Sequence, residues 1–164
     1  MDPLTLIATK ILEWGVAHMP NLIIRKLFPV AKIREDVRLS LSGKIPFCCV
    51  SEDRPGSLQG IELVIDNHNL FPLAVTKLEC TLYRVHEPIL RNLCLPIRQE
   101  AKAHSHTNAT VTFDLPDAQK RVIRNHPGDS ILLSLKGNLI ITAIGQQIAC
   151  PKEIPFMATI QRDI

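Results

Sequence analysis

The segment GIELVIDNHNLFPLAVTKLECTLYRV, Gly60 to Val85, leaves few folds open to the rest of the chain. Ile61, Leu63 and Ile65 alternate with Glu62 and Asp66, and Leu78, Cys80 and Leu82 alternate with Lys77, Glu79, Thr81 and Tyr83. A period of two sends successive side chains to opposite faces, so both runs are predicted as strands with one buried and one wet face. Between them Asp66, Asn67, His68 and Asn69 form a polar corner, because Asn and Asp side chains hydrogen-bond nearby backbone and tolerate left-handed dihedrals.

The alternation recurs from Val37 onward. Val37, Leu39 and Leu41 carry it, an apolar run follows from Ile45 to Val50, and Leu93, Leu95 and Ile97 repeat it. Glu100 to Asn108 reads as a polar connection, after which Ala109, Val111, Phe113 and Leu115 restore the pattern. Asp114 to Asp117 can start a helix that Asn125-His126-Pro127-Gly128 would stop, with Ala118, Val122 and Ile123 inward and Lys120, Arg121 and Arg124 in water. SILLSLKGNLIITAIG is expected as one long bent strand or a hairpin with Leu133, Leu135, Leu139 and Ile141 inward. Ile154, Phe156, Ala158 and Ile160 would form the last edge, guarded by Pro151 and Pro155. Short strands separated by Pro- and Gly-rich turns favour an antiparallel β-sandwich over a βαβ sheet.

The first thirty-odd residues differ in kind. Residues 3 to 18 read as a helix with Asp2 as its cap and Pro3 in its first turn. Leu4, Ile7, Ala8, Ile11, Trp14 and Gly15 fall on one face at helical spacing, while Leu6 and Val16 blur the contrast. Pro20 and Asn21 break this helix, Leu22 to Phe28 can form a second short one, and Pro29 is expected to end it. Arg25, Lys26, Lys32 and Arg34 make the second piece basic. The expected organisation is an N-terminal docking segment over residues 1–34 and a β-sandwich domain over residues 35–164.

Composition narrows the function classes. A net charge of +3 spread along 164 residues, with 4% aromatics, offers neither a basic footprint nor stacking platforms for nucleic acid. The five cysteines, Cys48, Cys49, Cys80, Cys94 and Cys150, make an odd number without a CxxC pair, so neither a disulfide framework nor a zinc site is expected. Reduced thiols fit a cytoplasmic location, with a peripheral membrane position as the variant. The start MDPLTLIATKILEW lacks a charged, then apolar, leader pattern, and charged residues interrupt it well before the ~20 apolar positions of a spanning helix. Asn108-Ala109-Thr110 matches a glycosylation acceptor but is expected to stay unmodified without a secretory route.

VIDNHNLFPLAVTKLECTLY, followed by SILLSLKGNLII and KEIPFMATI, resembles the late-embryogenesis-abundant group 2 family and its water-stress and hypersensitive-response domain. In that family a strand ends in an Asn-Pro-Asn corner and a later strand carries apolar-x-Gly-x-apolar. Asn67 and Asn69 match the corner's asparagines, His68 stands at its proline, and Leu135, Gly137 and Leu139 match the later pattern. The resemblance covers approximately residues 37–160. It implies an immunoglobulin- or fibronectin-like sandwich with one helix and a non-enzymatic role associated with stress or membranes.

No chemical constellation competes with that reading. GxSxG, SxxK and Cys-His signatures are absent from the sequence. His104 and His106 would face one side if extended, but no nearby carboxylate completes a metal site. Glu35-Asp36 and Glu52-Asp53 fall in connections, and Gly43-Lys44 lacks the rest of a phosphate loop. The expectation is therefore a non-catalytic interaction module with no cofactor and no metal. Its partner, a membrane surface or a protein, would be met through Leu4, Ile7, Ile11, Trp14, Arg25, Lys26, Lys32 and Arg34. The alternatives are a soluble stress-protective protein whose helices pack on its own sandwich and an enzyme with a convergent site.

Overall fold

The computed structural model describes residues 3–162; the cap expected at Asp2 lies outside the described residues. Three helices, α1 (Pro3–Ala17), α2 (Asn21–Leu27) and α3 (Val30–Glu35), precede the strands β1 (Val37–Leu41), β2 (Phe47–Cys49), β3 (Gly56–Asn67), β4 (Leu73–Arg84), β5 (Glu87–Ala101) and β6 (Ser105–Leu115). Then come α4 (Asp117–Arg124), β7 (Ser130–Ala143) and β8 (Gln146–Gln161). Pro29 does end α2, but it also opens α3, a helix not foreseen from the sequence. Its fixed φ of −64° and missing N–H suit the position just before a first turn.

The strands form a mainly β, sandwich-like fold. Pairing runs β1-β3-β2-β8-β7-β4-β5, with β6 on the other side of β3. β1 pairs the Leu63–Asn67 half of β3 and β2 pairs the Ser57–Gln59 half, while β2 also pairs β8. One strand thus stitches the β3 and β6 layer to the layer of β8, β7, β4 and β5. The β2–β8 pairing is parallel, the exception to the antiparallel arrangement expected throughout. Since β3, β4, β6, β7 and β8 largely alternate between inward and outward side chains and their buried faces join one cluster, the sheet closes over its own core. Ile61, Leu63, Ile65, Leu78, Leu82, Phe113, Leu133, Leu135, Leu139 and Ile141 all lie in it, as the alternation predicts.

Several boundaries move. β5 continues to Ala101 and β6 begins at Ser105, so the long polar connection expected over Glu100 to Asn108 shrinks to a three-residue turn. SILLSLKGNLIITA is one strand without a hairpin. β8 is not the simple edge expected: it pairs β7 from Gln146 to Thr159 and β2 at Thr159–Gln161. Pro151 and Pro155 lie on the stretch that has β7 as its sole paired neighbour, the kind of open-sided position at which a sheet tolerates proline. In α4, Ile123 is buried as expected but Ala118 and Val122 are not, and Lys120 is buried instead. Its ammonium donates to the carbonyls of Glu52 (3.1 Å) and Arg54 (2.6 Å), which satisfies the charge and pins the 51–55 loop to the helix. At Gly137 an added Cβ would lie 2.0 Å from the Glu79 carbonyl oxygen, so the absence of a side chain lets β7 approach β4.

The outer strand β5 is irregular. Its register against β4 shifts at three places, and Asn92 and Arg98 take positive φ values of 56° and 52°. These are β-bulges, which bend and twist an edge.

The polar corner closes the opposite end from α4. Asn67 and Asn69 are buried while His68 is exposed. The Asn67 amide donates to the carbonyls of Phe71 (2.9 Å), Ala101 (3.1 Å) and Lys102 (3.0 Å), and its oxygen accepts from the Asn69 backbone N–H (3.0 Å). Each buried group left unpaired costs roughly 1–3 kcal/mol. Asn67→Ala is therefore expected to lower the urea midpoint by the equivalent of at least ~2 kcal/mol, while His68→Ala changes it by less than about 0.5 kcal/mol. Equal effects of the two substitutions would refute the assignment.

Candidate docking surface

The helical segment divides into a part that belongs to the sandwich and a part that does not. Val16, Ile24 and Ile33 enter the common core, crossing the expected boundary after residue 34. Phe28 meets Phe71 edge-on with centroids 5.4 Å apart. Arg25 reaches the β7–β8 turn, where its Nε and Nη2 donate to the Ile144 carbonyl at 3.2 and 3.0 Å and Nη2 also donates to Gly145 at 3.0 Å. Ile144 and Gly145 both have positive φ, so Arg25 satisfies carbonyls of a left-handed turn. Of the basic residues singled out in the sequence, Arg25 is thus engaged within the fold, and Lys32 is paired with Asp36 at 3.1 Å. Lys26 and Arg34 are exposed and make no ion pair among the described residues.

α1 is set the other way round from an ordinary surface helix. At 3.6 residues per turn, Trp14, Ile7, Ile11, Leu4 and Leu12 fan over about 160° of its circumference. Its least exposed side chains, Thr9, Glu13 and Val16, occupy an adjacent strip. Glu13 Oε1 lies 4.0 Å from His104 Nε2 on the β5–β6 turn, and its other oxygen accepts from Lys10 at 2.9 Å. The strip bearing the carboxylate faces the body, and the apolar arc faces solvent: Ile7 is 56% exposed, Ile11 65% and Trp14 66%. The four apolar site residues read from the sequence, Leu4, Ile7, Ile11 and Trp14, therefore share one outward face. Trp14 also lies against His18, with ring centroids 4.4 Å apart.

The sequence reading missed the contribution of α2. Leu22, Ile23 and Leu27 are exposed around Lys26, while Ile24 is buried and Arg25 reaches across to the Ile144 carbonyl. The signal was present in NLIIRKLF, since a two-turn helix can hide only one side of so apolar a run.

Other recesses offer less. One of about 370 Å³ is lined by Glu79, Cys80, Thr81, Asn92, Leu93, Cys94, Lys136 and Gly137. His86, Ser134 and Glu153 line another of about 210 Å³, but no hydrogen bond joins any two of them, and Glu153 pairs with Lys136 at 3.6 Å. His104 has φ 49° in a turn and His106 lies on a strand, so the extended pair considered from sequence does not form. Among the described residues no group of three or more His, Cys, Asp or Glu side chains is placed to hold a metal ion.

No family model and no curated protein matches this chain. A crystal structure of a protein from Archaeoglobus fulgidus is similar to it with a TM-score of 0.45 and 11% identity, over 76% of this chain and 95% of that one.

The cysteines are free: Cys48, Cys80 and Cys150 are buried, Cys49 is half-buried and Cys94 is exposed. Burial, reinforced by Cys49, pushes the Cys48 thiol up to about 12, and burial with Cys94 pushes Cys80 up to about 11. The thiolate is the reactive form, so these two sites are doubly protected. Iodoacetamide at about pH 8 is expected to label Cys94 first and to spare Cys48, Cys80 and Cys150 until the protein unfolds. Peptide mass mapping with Cys48 modified in the native state would contradict this packing.

Proposed function

We propose that this protein is a non-catalytic module that docks on a membrane surface through the outward faces of α1 and α2. The observation that carries the reading is the setting of α1, whose carboxylate-bearing strip faces the protein and whose apolar arc faces out. A helix folded to satisfy its own domain turns the opposite way. Fully burying an aliphatic side chain contributes roughly 1.5–3 kcal/mol, so Ile7, Ile11, Leu22 and Ile23 hold a substantial driving force in reserve. With 15 residues α1 is about 22 Å long, short of the ~30 Å hydrocarbon core, and no described helix is long and apolar enough to cross a membrane. Lying in the interface suits that length and an apolar arc of this width. The resemblance to the late-embryogenesis-abundant group 2 family supports a stress-associated setting for such a module.

Trp14, the sole tryptophan, is a built-in reporter. On mixing the full chain with lipid vesicles, its emission is expected to shift to the blue and the protein to float with the vesicles. Ile11→Asp should abolish both while leaving the far-ultraviolet spectrum unchanged. Absence of flotation with every vesicle composition would sink the membrane reading, and binding to a protein through the same residues would replace it. Loss of the β spectrum in Ile11→Asp would instead assign α1 to the domain's own core.

A further inference from the structure

The placement of the basic residues says what kind of surface fits. We infer that the docking face reads anionic phospholipid headgroups, and that Lys26 and Arg34 are the cations that contact their phosphates. The inference rests on the docking reading above and specifies the lipid. Four basic residues lie in α2 and α3, and the fold sorts them into two kinds. Arg25 is committed to the carbonyls of Ile144 and Gly145, and Lys32 to the Asp36 carboxylate. These contacts leave both charges in place but hold Arg25 against the β7–β8 turn and set Lys32 beside a carboxylate that partly offsets it, so neither is as free to reach a headgroup as a side chain without a partner. Lys26 and Arg34 have no such partner among the described residues.

Lys26 is also placed for the task. It lies one turn beyond Leu22 and Ile23 and next to Leu27 on the outward side of α2. If those three side chains enter the acyl boundary, the long stem of Lys26 runs along them and carries its ammonium back to the phosphate level. Arg34 sits in the last turn of α3, exposed, while its neighbour Ile33 anchors that helix in the core. Apolar side chains alone would bind neutral and charged bilayers alike. Two unpaired cations beside them add an attraction that depends on lipid charge and fades with salt, because the screening length is about 10 Å at 0.1 M.

The test measures partitioning of the full chain onto vesicles of phosphatidylcholine alone and of phosphatidylcholine with phosphatidylserine, at low and high salt. Wild type is expected to bind both, the anionic vesicles more strongly and in a salt-dependent way. Lys26→Gln and Arg34→Gln should each weaken binding to the anionic vesicles about fivefold, and the double variant about twenty-five-fold, with neutral vesicles unaffected. Arg121→Gln, at an exposed position of α4 at the other end of the sandwich, serves as the control and should change neither. Equal binding of wild type to both compositions overturns the inference while leaving membrane docking in place. So does a loss from Lys26→Gln or Arg34→Gln no larger than that from Arg121→Gln, or an equal loss on neutral vesicles. Failure of wild type to bind either composition overturns the docking reading, and this inference falls with it.

Discussion

The carboxamide of Asn67 governs how one end of this molecule closes. It stands at the end of β3, the strand that pairs β1, β2 and β6, and its hydrogen bonds reach the start of the β4 segment and the end of β5. Strands of both layers therefore meet on one side chain. The His68 N–H donates to the Asp36 carbonyl at 2.8 Å and the His104 N–H to the Asn69 carbonyl at 3.3 Å, which adds the end of α3 and the β5–β6 turn to the same junction. Buried polar networks of this kind impose geometry as well as stability, because a slip of one residue would leave several carbonyls unpaired at once. The platform on which α2 and α3 stand is built from this corner and from the β7–β8 turn that Arg25 holds.

That platform explains why residues 3–34 do not behave as one element. α3 and the inner side of α2 complete the end of the core, while α1 is joined to the body mainly at Val16 and through the approach of Glu13 to His104. The side chains of the segment divide between the core and solvent. The division follows the side chains: Ile24, Phe28 and Ile33 are inward, and Ile7, Ile11, Trp14, Leu22 and Ile23 are outward.

Most of the sandwich was legible because period-2 alternation depends on local sequence alone. Leu133, Leu135 and Leu139 could be placed inward without knowing what they pack against. What was not legible depends on partners distant in sequence. Lys120 looks solvated on a helical wheel, and only the carbonyls of Glu52 and Arg54 make its burial tolerable. Likewise the role of β8 turns on the short strand β2 arriving beside it. In the candidate docking face the apolar residues of α1 were visible from spacing, whereas the basic residues were equivalent in sequence and became distinguishable once the turn at Ile144 and the carboxylate of Asp36 claimed two of them.

The bulges of β5 acquire another meaning under the proposed docking on a surface. Molecules confined to two dimensions meet at higher local density than in bulk, with their sheets oriented alike, which are the conditions under which free strand edges join laterally. β5 interrupts its outer row of hydrogen-bonding groups at Asn92 and Arg98 and carries Pro88 and Pro96, so it presents no long flat template for a neighbour's strand. The irregularity that makes this strand look poorly formed leaves its edge a poor template for a strand from another molecule.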